Sequence, residues 1–217
     1  MQVMSKLPKQ ATEVRQASLV LAALRLAAQH SPADITTTDL AQAVGITQGA
    51  VFKHFASKDA VWLAAMDWVT QALMAQLDAA ASQVEQAGDT AWPLAALRAV
   101  FMAHVDFVVA HPGVPRLIFQ ELQRPDDTAL KARVRQLMTS YRTLLRRLLM
   151  QAIELKCIAP DTDLTSATVL FIGAIQGLVM QSLIAGDVPA MVQQAKGVYA
   201  IYQRGLLSHA PAATPTY

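Results

Sequence analysis

The sequence predicts an all-α fold of about nine helices, and three observations carry that reading. Between Thr12 and Leu207 the apolar residues recur at three and four, and Ala, Leu, Gln and Arg dominate. No run of alternating β-branched residues marks a strand. Clusters of Gly, Pro, Asp and Ser interrupt the helical pattern where punctuation is needed.

Taken in order, the first helix ends at His30-Ser31-Pro32. Thr36 starts the second, because its hydroxyl can accept an orphan backbone N–H while Asp39, three residues on, completes the reciprocal box. Leu40, Ala41 and Val44 form that helix's buried stripe, and Gly45 supplies the left-handed conformation that ends it. Thr47 caps a third helix after a three-residue turn, and Ala56-Ser57 closes it. Ser57 then caps a long helix, about Lys58 to Gln86, broken at Gly88-Asp89. Further helices run from about Trp92 to Ala110, Pro115 to Leu122, Thr128 to Lys156, Asp163 to Ala185 and Val188 to Leu207. They are separated at His111-Pro112-Gly113, Arg124-Pro125-Asp126-Asp127, Ala159-Pro160-Asp161 and Ala185-Gly186-Asp187. After Ser208 periodicity stops, which reads as a frayed tail. The expected division is a unit at residues 10–70, a larger one at 71–208 and a disordered tail at 209–217.

Composition excludes several classes. With 53% hydrophobic and 16% charged residues the chain is neither disordered nor collagen-like. Its formal charge of +2 demands no polyanionic partner, but the distribution does more: six basic residues face four acidic ones up to residue 60, and the rest is balanced at twelve each. The lone cysteine, Cys157, points to a reducing compartment, and the first ten residues lack the apolar core of a secretory signal. A cytoplasmic protein is expected. Leu164 to Gly186 carries no charge and is long enough to span a bilayer. Thr165, Ser166, Thr168, Gln176, Gln181 and Ser182 interrupt it, and no aromatic belt or basic flank marks its ends, so a buried helix at a subunit contact is expected and no membrane partner.

The strongest local signal runs from Thr36 to Phe55. Two short capped helices joined by a three-residue turn have helix-turn-helix spacing. On the second, at 100° per residue, Val51 and Phe55 share one face, while Gln48, Gly49, Phe52 and Lys53 share the other, flanked by Ala50 and His54. A helix that enters the major groove needs that arrangement: small residues allow close approach and a long polar side chain reaches base edges. Gln48 suits the N6 and N7 positions of adenine. Lys53, His54 and Lys58 would meet phosphates, Lys58 from the first turn of the next helix. On spacing alone the same residues also fit a structural three-helix corner with ordinary caps and solvated lysines.

The run from Leu19 to Leu63 resembles the DNA-binding domain of TetR/AcrR-family transcriptional regulators, without a gap. Leu19, Val20, Ala22, Ala23 and Leu24 match its first helix, and Thr36, Leu40-Ala41, Gly45-Ile46-Thr47, Gly49, Val51-Phe52, His54-Phe55 and Ser57-Lys58-Asp59-Ala60 match the rest. The resemblance implies Thr36 and Thr37 near phosphate, Gln48, Gly49 and Ala50 at base edges, and Phe52, His54 and Lys58 along the DNA backbone. The sequence departs from the family at Phe52, where Tyr is usual, at Ala27, which replaces a common core aromatic, and at Ser31, which replaces a common Gly.

If the N-terminal unit binds DNA, the remainder should supply dimerisation and a reason to let go, since two copies on a two-fold axis read a palindrome. In the family the last two long helices form a four-helix contact between subunits. Gly173, Gly177 and Gln181 are the expected interface residues, although the glycines equally suit packing within one chain. Met102, Phe107, Phe119, Met138, Tyr141 and Phe171 are candidates to line a cavity for an apolar or amphipathic effector, and each alone also suits an ordinary core position.

Lys131, Arg133, Arg135, Arg142, Arg146 and Arg147 occupy a stretch with no acidic residue between Asp127 and Glu154. It fits an anionic ligand, a second contact with phosphate, or a solvated helix face whose stems pack on apolar surface. His104 and His111 lie seven apart and lack the i, i+4 pair of a helical metal site, so no metal is expected. No nucleophile elbow, Gly-rich phosphate loop or catalytic cluster is present in the sequence, so neither an enzyme nor a cofactor is expected. The reading is a homodimeric regulator bound to a DNA operator and most consistent with a repressor, a small-molecule effector shifting the helix after Ser57. The alternative is an architectural DNA-binding protein without an inducer.

Overall fold

The computed structural model describes residues 12–87 and 91–207. The expected break at Gly88-Asp89, the first ten residues and the tail beyond Ser208 lie outside them. Among the described residues there are nine α-helices and no strand. They are α1 (Thr12–Ala27), α2 (Thr37–Ala43), α3 (Gln48–Val51), α4 (Lys58–Glu85), α5 (Trp92–Ala110), α6 (Gly113–Gln123), α7 (Ala129–Glu154), α8 (Leu164–Ala185) and α9 (Met191–Leu207).

The chain divides into two compact units, one holding residues up to Val69 with His111–Arg133, the other Thr70–Ala110 with residues from Val134 on. In the first, α1 packs on α2 and α2 on α3, and Leu19, Val20, Ala23 and Leu24 of α1 are buried, as are Ile35, Leu40, Ala41, Val51, Phe55 and Val61. α6 belongs to this unit and packs on α1 through Gly113, whose absent side chain leaves room for the α1 backbone. Sequence punctuation puts Gly113 in a break and starts the helix at Pro115. The structure starts it at Gly113, because Pro115 within the first turn forfeits no intrahelical hydrogen bond.

The second unit packs α5 against α8 and α9. An aromatic cluster fills that space: Phe101 meets Phe171 edge-on at 5.2 Å between ring centroids and Tyr199 at 5.3 Å, and Phe171 meets Tyr202 at 5.4 Å. Both tyrosine hydroxyls are satisfied there, Tyr199 donating to the Leu94 carbonyl at 2.9 Å and Tyr202 to the Ala167 carbonyl at 3.2 Å. These bonds tie α9 to α5 and α8. Burial holds both phenols protonated, their pKa pushed up from 10.0.

α5 and α8 are both long and apolar enough to cross a membrane. In the structure α8 instead lays Phe171, Ile172, Ile175, Leu178 and Val179 into the core. Its ends are fixed by polar caps. Asp163 accepts from the Ser166 hydroxyl and from the Ser166 and Thr165 amides, and these bonds, the hydroxyl's first, hold its carboxyl below the usual range. Gly186, left-handed at φ 71°, closes the other end. α7 stops at Glu154, two residues before the expected Lys156, because the chain reverses with Lys156 itself left-handed at φ 58°.

Candidate nucleic-acid interface

The turn between α2 and α3 is built from local chemistry. Thr36 caps α2: its hydroxyl oxygen accepts from the Asp39 amide at 3.2 Å, and Asp39 accepts from the Thr36 amide and hydroxyl, both at 2.7 Å. The backbone bond first, then the hydroxyl, lowers the Asp39 pKa. At the other end Gly45 at φ 69° lets Ile46 N–H reach the Ala41 carbonyl at 2.9 Å and its own N–H reach that of Gln42 at 3.1 Å. Thr47 then caps α3 by accepting from the Ala50 amide.

α3 is shorter than predicted. Beyond Val51, Lys53 and His54 donate to carbonyls three residues back, so the last turn tightens away from α geometry before Ala56. The facing survives. Val51 is fully buried and Phe55 nearly so, while Gln48, Gly49, Phe52 and Lys53 are exposed and Ala50 and His54 are half-buried. A Cβ built on Gly49 meets nothing within 4 Å, so the backbone there is open to close approach. Phe52, half exposed, presents an apolar ring on the same open face.

Several predicted residues are already engaged. Gln48 donates from its side-chain nitrogen to the Thr37 hydroxyl oxygen at 2.9 Å, joining the first residues of α3 and α2. Lys58 Nζ donates to the Ala33 carbonyl at 2.8 Å and lines a cleft of about 370 Å³ with Asp59, Trp62, Gln120 and Arg124. The His54 Nδ1 is buried with no hydrogen-bond partner among the described residues, which leaves Nε2 as the nitrogen available for a contact. Sequence reasoning missed Arg15 and Gln16. From α1 they donate to the carbonyls of Val44 and His54, at 3.4 and 3.0 Å, and so brace the end of α2 and the turn that follows α3. Their spacing on a polar helix face gives no local signal of that role.

The candidate cavity residues are divided. Phe119 lies on α6 in the first unit; Met102, Phe107, Met138, Tyr141 and Phe171 lie in the second. Phe107, Tyr141 and Phe171 are buried, and Met102, Phe119 and Met138 half-buried. Tyr141 sits 6.3 Å from Phe171 between ring centroids, and its hydroxyl is 3.0 Å from His104 Nδ1. Burial lowers the His104 pKa to about 4 and raises that of Tyr141, so a neutral pair shares one proton-mediated contact. His111 instead meets Trp68 edge-on at 5.1 Å.

The basic stretch also divides. Arg133 pairs with Asp67 at 3.0 Å, Arg147 with Glu85 at 3.9 Å, and Lys131 Nζ bonds the Arg124 carbonyl, whereas Arg142 and Arg146 are exposed. Lys131, Arg133 and Arg147 thus have partners within the chain. On α8, Gly173 and Gly177 are exposed, and among the described residues a Cβ on either meets nothing within 4 Å. Val169, Leu170, Met180 and Ile184 are exposed at the same helical spacing, as is Ile201 on α9.

Comparison with known proteins accords with this geometry. The family described as bacterial regulatory proteins, tetR family, matches residues 19–65, and the Tetracyclin repressor-like C-terminal domain matches 118–198. The nucleoid occlusion factor SlmA of Actinobacillus pleuropneumoniae serotype 5b (strain L20) is 27% identical over 59% of this chain and 61% of its own length. The chain thus spans about three fifths of the length of that curated relative. Among solved structures, the transcriptional regulator FadR of Bacillus subtilis in complex with stearoyl-CoA superposes with a TM-score of 0.74 at 14% identity, over 87% of this chain and 98% of that one. SmeT, the repressor of the Stenotrophomonas maltophilia multidrug efflux pump SmeDEF, gives 0.69 at 16%, over 94% and 96%. With the capped helix-turn-helix in its N-terminal unit and the all-helical unit that follows, the chain belongs to the TetR family of bacterial regulatory proteins, DNA-binding transcriptional regulators rather than enzymes.

Proposed function

We propose that the protein acts in the cytoplasm as a homodimeric repressor that binds a palindromic DNA operator and releases it when a small apolar or amphipathic molecule binds the second unit. One observation carries the DNA-binding part: the exposed face of α3 presents Gln48, Gly49 and Lys53 over a buried Val51 and Phe55. Thr36, Thr37, Ala50, Phe52, His54 and Lys58 complete the proposed contact set. The apolar strip through Gly173 and Gly177 supports a two-fold contact, because a monomer gains nothing by leaving Leu170 and Ile184 in water. Gln181, exposed on α8, would lie at that contact. Support for the effector comes from the FadR likeness, whose structure holds stearoyl-CoA, and support for repression from SmeT. An effector works here only by favouring the state in which the two reading helices are wrongly spaced.

A second reading, an architectural DNA-binding protein without a small-molecule inducer, is supported by the likeness to a nucleoid occlusion factor. One experiment separates the two. The purified chain is titrated against its own upstream duplex across a salt series with genomic competitor, then challenged with fatty acyl-CoA. Specific, salt-dependent binding released by acyl-CoA supports the first reading; specific binding that acyl-CoA leaves intact supports the second; binding no tighter than to competitor sinks the operator assignment.

A further inference from the structure

We infer that Thr37 sets the base preference of Gln48, committing one of its amide hydrogens and so favouring adenine over guanine at the base it meets. The inference rests on the DNA-binding reading and on the 2.9 Å bond from Gln48 Nε2 to Thr37 Oγ1. A glutamine side chain has two N–H donors and one carbonyl acceptor. With one N–H on Thr37, Gln48 keeps one donor and the acceptor. Adenine offers the matching pair in the major groove, an N7 acceptor and an N6 donor, whereas guanine offers N7 and O6, both acceptors. To bind guanine at both positions Gln48 must break its bond to Thr37; to bind adenine it need not.

The surroundings hold Thr37 to this role. The neighbouring hydroxyl of Thr36 is taken up by Asp39 and does not compete for the amide. Thr47 fixes the start of α3 through the Ala50 amide, and Gly45 fixes the turn before it, so Gln48 and Thr37 are brought together by a braced backbone. The bond uses Thr37 Oγ1 as acceptor, which leaves its own proton free for a phosphate oxygen. Thr37 therefore positions Gln48 while remaining able to hold the DNA backbone.

The test uses the full chain. Duplexes are selected from a random-sequence library, and the position whose preference disappears with Gln48→Ala is made A·T or G·C in otherwise identical duplexes. Dissociation constants are read by fluorescence anisotropy for wild type, Thr37→Val, Thr37→Ser and Gln48→Ala, after circular dichroism confirms that each folds. Wild type is expected to prefer adenine by about 10-fold to 100-fold. Thr37→Val, the same shape without the hydroxyl, should drop that ratio several-fold, chiefly by binding the guanine duplex better, and Thr37→Ser should keep it. If Thr37→Val weakens both duplexes equally, or leaves the ratio intact while Gln48→Ala abolishes it, the positioning role is overturned and the placement of α3 stands. If Gln48→Ala changes no position, the placement of α3 fails and the inference with it.

Discussion

Gly113 lies so close to α1 that a Cβ on it would stand 2.0 Å from the Leu24 carbonyl oxygen and 2.9 Å from the Ala28 nitrogen. Ala27, fully buried and carrying only a methyl group, adjoins the same contact. The bare Gly113 thus lets α6 seat on the helix that braces the turn between α2 and α3. Because the clash is with helical backbone, Gly113→Ala should destabilise the chain by about 1–3 kcal/mol or more. Urea unfolding monitored by circular dichroism reads this directly, and an unchanged midpoint would show that α6 is not seated on α1 in solution.

Lys53 is exposed, while Lys58 Nζ holds the Ala33 carbonyl, so the two lysines should behave differently on removal. Lys53→Ala is expected to weaken binding to all sequences and to reduce the salt slope by about one, with the melting temperature unchanged. Lys58→Ala should weaken binding and lower the melting temperature together. Salt-titrated anisotropy beside thermal unfolding separates them; a Lys53→Ala protein with wild-type salt dependence removes Lys53 from the interface.

The exposed strip on α8 predicts a self-contact that charge abolishes. Leu170→Arg with Ile184→Arg places two cations on it without entering the core, since both side chains are more than half exposed. Sedimentation velocity should show a dimer for wild type and a monomer for the double variant. A dimer that survives both substitutions must use another surface.

Lys156 adopts φ 58° to end α7, a conformation that costs a side chain with a Cβ about 1–2 kcal/mol and glycine far less. Part of the gain from Lys156→Gly is lost to the freer unfolded chain, so a net stabilisation of about 0.5–1 kcal/mol is expected. A lower denaturation midpoint would mean that the Lys156 side chain contributes more than its backbone costs.

His104 gives stability a pH dependence of definite sign. Its folded pKa is depressed to about 4, below the ordinary 6.5, so between these values the unfolded chain binds a proton that the folded one refuses. The contribution is full above pH 6.5 and lost as pH falls towards 4, up to about 3 kcal/mol in all. Denaturation midpoints for wild type and His104→Gln between pH 7 and pH 4 check it: the gap between them should narrow on acidification, and parallel curves would refute the assignment.

Some of these relationships were legible residue by residue. Thr36 with Asp39, Gly45, Thr47 and Ser57 each act on backbone groups within a few positions, so helix starts and stops could be read in advance. The facing of α3 followed from periodicity alone, since Val51 and Phe55 have nowhere to go but inward. Its short length did not: Lys53 and His54 bond carbonyls three residues back, and no residue type after Val51 announces that change. Lys156 escaped notice because nothing about a lysine announces a left-handed conformation.

Local chemistry in the sequence therefore determined the all-helical class, the capped turn and the exposed set at Gln48, Gly49 and Lys53, because caps, turns and helical faces act over one to four residues. Only the tertiary structure decided that Gln48 is held by Thr37 eleven positions away, that Lys58 is tied to Ala33, and that α1 braces the turn through Arg15 and Gln16. It also decided that Gly113 must be bare, Leu24 being far from it in sequence. Such pairings depend on which surfaces meet when the helices pack, and the pattern along the chain holds no record of that until the chain has folded.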